Sequence, residues 1–143
     1  LNYRRICTLA DGSLHISSTV SGDGQDQASE LYETIPLNLG NGPAQQTQAA
    51  VTIQFLVGDA WLAATAEWQG QVSAIKVARF GGAMQISFDT AQRVKLSSTE
   101  WKDGWFTREI CRNVLIDLLE PNGQAASLAP VRQVAYRLSV VPK

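Results

Sequence analysis

At 143 residues, with 45% apolar and 17% charged side chains, the chain is sized for one domain around one core, and its composition argues against disorder and against a membrane-spanning apolar run. Twelve Lys and Arg against thirteen Asp and Glu leave a formal charge of −1. No basic cluster is longer than Arg4-Arg5, so electrostatic capture of a nucleic acid or an anionic membrane is not expected as the main activity.

Taken in chain order, residues 3–9 and 13–20 alternate apolar and polar positions around Ala10-Asp11-Gly12, which predicts a hairpin with Gly in the left-handed region. A polar, turn-rich stretch over 21–27 reads as a loop. Leu31, Glu33, Ile35, Leu37 and Leu39 then share one face of a further strand, with Pro36 placing it near a sheet edge or a bulge. A second loop over 40–48 leads to strict alternation through Val51, Ile53, Phe55 and Val57, closed by Gly58-Asp59.

Residues 61–68 read as a short strand between two turn pairs, although their composition also suits a helical turn or two. Short strands follow over 72–80, 84–89 and 93–98, the first two joined by a hairpin at Gly81-Gly82. Residues 105–120 are rich in β-branched side chains and read as a long strand, with a helix over 108–119 as the alternative. The last strand is carried by Val134, Tyr136, Leu138 and Val140. Nine or ten strands at this spacing, with no internal repeat, predict an all-β antiparallel β-sandwich.

Chemistry-bearing residues are few. His15 falls on the polar side of its strand, facing solvent or a sheet groove, and nothing in the sequence sets a partner beside it. Cys7 and Cys111 each lie in a strand-like run without CxxC spacing. They are read as buried thiols, with a disulfide between them, or metal ligation helped by a carboxylate, as the other readings. The segment Trp101-Lys102-Asp103-Gly104-Trp105 is the candidate ligand-binding feature: two indoles flank a charged Gly turn, and Lys102 and Asp103 are placed to bond sugar hydroxyls. Burial of both indoles is the competing reading, and Trp61 and Trp68 are read as core. Glu30, Glu33, Glu67, Glu100 and Glu109 are dispersed, with no pair marked by spacing. The arginines fall mostly on strands, where outward charge keeps a sheet edge soluble. No catalytic residue, metal site or cofactor is assigned.

The opening Tyr3-Arg4-Arg5-Ile6-Cys7-Thr8-Leu9-Ala10-Asp11-Gly12-Ser13-Leu14-His15-Ile16, running on to Val20-Ser21-Gly22, resembles an aromatic-Arg-Arg, strand, Asp-Gly, strand, Gly pattern. That pattern belongs to the C-terminal β-sheet domain of heparinase II/III-like and alginate-lyase-like polysaccharide lyases. Ala83-Met84-Gln85-Ile86-Ser87-Phe88-Asp89 with Arg93-Val94-Lys95-Leu96 looks like a second strand pair of the same region. Ser17-Ser18-Thr19 departs from it, where a more acidic strand end is expected.

The similar families are secreted or periplasmic bacterial enzymes that cleave uronic-acid polysaccharides by β-elimination. Their catalytic Tyr and His lie mainly in a helical toroid and an earlier part of the sheet domain, and His15 matches no motif of theirs. The resemblance therefore implies a single domain, residues 1–143, taken from the C-terminal end of a longer bacterial protein and outside the cytosol. Its expected role is non-catalytic, bracing an upstream catalytic domain of the same polypeptide and contacting an acidic polysaccharide. A self-contained carbohydrate-binding module and a structural sandwich with no ligand are the alternatives.

Overall fold

A computed structural model of the chain describes residues 1–23, 27–28, 30–38, 52–64, 67–79, 82–103, 107–119, 126–127 and 132–141, and over 27–28, 38, 79, 98–103, 107–111 and 126–127 it describes the backbone. The described residues form eleven strands and no helix: β1 (Asn2–Ala10), β2 (Ser13–Ser21), β3 (Gln27–Ala28), β4 (Tyr32–Asn38), β5 (Thr52–Val57), β6 (Ala60–Ala63), β7 (Trp68–Arg79), β8 (Gly82–Asp103), β9 (Thr107–Asp117), β10 (Ala126–Ser127) and β11 (Arg132–Val141). The ladders are antiparallel. Nine strands share one sheet, and β3 pairs with β10 apart from it.

Local sequence explains the reversals. Asp11 and Gly12 both have positive φ, 51° and 69°, between the paired residues Ala10 and Ser13. That is the geometry a two-residue hairpin needs, and Asp and Gly are the residues that tolerate it. Gly58, at φ 59°, opens the equally short turn between Val57 and Ala60. The β7 and β8 ladder closes at Arg79 and Gly82, as expected of a hairpin at that point.

The sheet becomes a sandwich because β8 changes partners along its 22 residues. Residues 83–88 pair with β11, whereas 94–103 pair with β9. Between them the β7 register jumps from Gln92 opposite Val72 to Ser87 opposite Ala74, a bend of the kind that carries a strand from one layer into the other. One layer runs β6-β5-β7-β8-β11-β2-β1 and the other continues β7-β8-β9-β4.

The two inner faces meet in a core of Ile16, Val20, Phe55, Ile75, Ile86 and Val134 from the first layer and Ile35, Leu37, Leu96, Val114 and Ile116 from the second. Strands β5 and β4 contribute to it as alternation predicts, and Pro36 sits on β4, which pairs only with β9 among the described strands. Trp68 stacks on Phe55 with ring centroids 4.2 Å apart and lies directly over Gly70. A Cβ at Gly70 would come within 2.6 Å of that indole, so any larger residue there would push the Trp68 ring off Gly70.

Several expectations need correction. Residues 84–89 and 93–98 belong to a single strand, because the Asp89 to Gln92 stretch carries no Gly or Pro to reverse the chain and bends instead. The segment 61–68 is split between β6 and the start of β7. Trp61 is 39% exposed on the edge strand β6, and only Trp68 of that pair packs against the core. The long strand expected over 105–120 does form, as β9 over Thr107–Asp117, and the helical alternative over 108–119 does not. Cys7 is exposed and its thiol is free, contrary to the buried-thiol reading. Arg5 points to the inner side of its layer and not outward.

Candidate functional site

Strand β1 carries the most distinctive chemistry among the described residues. Every residue from Asn2 to Ala10 is exposed, and β2 is its only ladder partner among the described strands. The register puts Tyr3, Arg5, Cys7 and Leu9 on the inner face, opposite Val20, Ser18, Ile16 and Leu14. Covering the inner faces of β2 and β11 leaves Val20, Ser18, Ile16, Val134 and Tyr136 buried, but the second layer ends before β1 is covered. Cys7 and Leu9 therefore share the core's side of the sheet and still meet solvent.

What reaches β1 from the other layer is Glu33. It stands on the apolar side of β4, is 2% exposed, and is surrounded by donors. Its Oε1 accepts from Arg5 Nη2 and, at 3.0 Å, from the Tyr136 hydroxyl. Its Oε2 accepts from the Tyr3 hydroxyl at 3.3 Å. Ser18, fully buried, receives Arg5 Nε at 3.3 Å and lies 3.5 Å from the Tyr3 hydroxyl. The Arg5 guanidinium also lies 5.8 Å from the centre of the Tyr3 ring.

A buried carboxylate needs this many partners, since an unpaired charge there is strongly disfavoured. Burial lowers the Arg5 guanidinium, but the charge of Glu33, the neighbouring Tyr3 and the hydrogen bond to Glu33 together outweigh it and raise Arg5 overall. Burial, followed by the charge of Glu33 and the bond to it, pushes the Tyr136 phenol well up, with Arg5 opposing. Tyr136 and Arg5 thus remain protonated donors at neutral pH. With both its oxygens accepting, Glu33 works as a latch tying the edge strand to the opposite layer.

The outer face of the same layer holds His15. It pairs in register with Thr8 on one side and Arg137 on the other, in a shallow depression of about 170 Å³ that also meets Ser17 and Asp89. Exposure of His15 in a sheet groove agrees with its place in the alternation. No hydrogen bond or ion pair joins it to a neighbour among the described residues, and no cluster of three potential metal ligands occurs among them.

Of the candidate ligand turn, the backbone of Trp101, Lys102 and Asp103 forms the end of β8, opposite Glu109, Arg108 and Thr107 of β9. Trp105 lies outside the described residues. Reading the carboxylates as dispersed missed Glu33, although its position on the apolar face of β4 was the available signal. An acid standing in line with Leu31, Ile35 and Leu37 must enter the core with its partners. Compared with protein-family models, curated proteins and solved structures, the chain matches none.

Proposed function

We propose that the chain is a non-catalytic accessory β-sandwich that braces a neighbouring catalytic domain of its own polypeptide, in the manner of the C-terminal domain of heparinase-like polysaccharide lyases. The supporting observation is β1, a strand latched in place by Glu33 and left uncovered on both faces. Exposed edge strands in stable proteins are normally blunted by Lys, Pro, a bulge or a covering element. Residues 6–10, Ile-Cys-Thr-Leu-Ala, carry none of these, and Ile6 and Leu9 present apolar side chains on opposite faces. Such an edge suits a fixed contact with another domain. Secretion or export of the parent protein, and contact with an acidic polysaccharide at the domain boundary, belong to the same reading.

The test is the coding sequence upstream of Leu1, combined with two measurements. We expect a long, mostly helical segment upstream, and β1 amides that exchange quickly in the 143-residue chain and slowly in the longer polypeptide. The chain alone should release no unsaturated uronate ends from heparan sulfate or alginate. Turnover by the purified chain, or β1 amides equally fast in both contexts, overturns the reading.

A further inference from the structure

The layer formed by β7, β8, β9 and β4 has an outer face, where a second depression of about 170 Å³ is lined by Glu30, Tyr32, Gln69, Arg93, Lys95 and Asp117. None of β1 contributes to it. The register explains the assembly: Tyr32 lies opposite Asp117 across β4 and β9, and Gln69 opposite Lys95 across β7 and β8. Asp117 is held by its own chain, its Oδ1 accepting the Leu119 N–H at 3.0 Å. Arg93 Nε in turn stands 4.0 Å from Asp117 Oδ2. Asp117 is therefore oriented by its own backbone, with the Arg93 guanidinium beside it.

We propose that this groove binds a single neutral pyranose ring. Three features converge on that ligand. Two cations and two carboxylates balance, so the groove offers a fully charged ligand no net attraction. The polar lining consists mainly of flat groups, a guanidinium, two carboxylates and a carboxamide, beside one aromatic ring. Paired donors and acceptors of this kind match adjacent sugar hydroxyls, each of which both donates and accepts. The volume lies below the roughly 300–1,000 Å³ of sites that enclose drug-sized ligands, so the groove itself seats about one ring. Burial, then the charges of Glu30 and Asp117, raise the Tyr32 phenol against the opposing effect of Arg93, which keeps it a hydrogen-bond donor at neutral pH.

The test titrates the full chain with methyl glucoside, methyl galactoside and methyl mannoside, and separately with glucuronate, following backbone amides by NMR. At least one neutral glycoside should give saturable shifts confined to residues 30–34, 69–71, 93–95 and 115–119, with an affinity unchanged between low and high salt. Gln69→Ala and Lys95→Ala, both at exposed side chains, should each weaken binding about tenfold while leaving the thermal midpoint unchanged. Tyr32→Phe keeps the ring and should weaken binding by loss of the hydroxyl alone. Absence of saturable shifts with every neutral glycoside overturns the proposal. So do shifts centred on other residues, unaltered affinity in all three variants, or salt-sensitive binding of glucuronate alone.

Discussion

Strands β1 and β11 flank β2 on either side, pair with it in nearly the same register, and have similar alternation, yet one is exposed throughout and the other enters the core. The row Leu9, Leu14, Leu138, Ile86 shows the gradient directly, running from 78% exposed at Leu9, through two half-buried leucines, to complete burial at Ile86. Alternation decides which residues share a face. Whether that face is covered depends on how far the opposite layer extends, which no local pattern records.

The sharpest way to break this comparison is at the buried end of the row. Ile86→Ala should cost about 4 kcal/mol, measured by denaturant unfolding, because it opens a cavity with no room to relax. A cost under about 1 kcal/mol would mean that the covering layer is loosely seated.

Next in size is the latch. Arg5→Ala removes the charged partner of a buried carboxylate, and a loss of about 3 kcal/mol is expected. The figure sits at the low end of its range because Tyr3 and Tyr136 still donate to Glu33 and because the Arg5 side chain is 41% exposed. A near-zero cost would show that β1 is held by its ladder to β2 alone.

Tyr136→Phe keeps the ring and deletes one donor to the carboxylate, so a loss of about 2 kcal/mol is expected at neutral pH. The same variant tests alkaline behaviour. The folded protein holds the Tyr136 proton above the unfolded value of about 10, so its contribution is complete below that pH and is lost as pH rises beyond it. Wild-type stability should fall above about pH 10, and the fall should be shallower in the variant.

At the exposed end, Leu9→Ala should change stability by no more than about 0.5 kcal/mol. Cys7 should react with a thiol reagent almost as fast in the native chain as in denaturant. Slow reaction would place a cover over β1 in the isolated chain and remove the contrast with β11.

Much of the fold was legible. The first hairpin, β4 with its edge proline, β5 and β11 all follow from period-two patterning and turn residues. The errors have a common physical source in contacts between distant segments. Cys7 was read as buried because its strand alternates, although the second layer stops short of it. The change of partners in β8 was read as a chain reversal because a bend and a turn both interrupt alternation. Trp61 was placed in the core by its apolarity, yet it stands on an edge strand, where large apolar side chains are only partly covered. Glu33 could have been found, since its face was correctly assigned. Its partners Tyr3, Arg5 and Tyr136 come from strands that sequence distance does not connect.

The double membership of β8 bears on how the molecule comes apart. Its 22 residues hold β11 at one end and β9 at the other, so neither layer can shed its ladder without disturbing a strand that the other needs. Opening events that stop short of this strand are confined to the periphery, to β1, β4 and β6, each with a single ladder among the described strands, while loss of β8 takes both layers at once. The sandwich therefore melts as one cooperative unit with a fraying rim, and its two layers do not behave as separable halves.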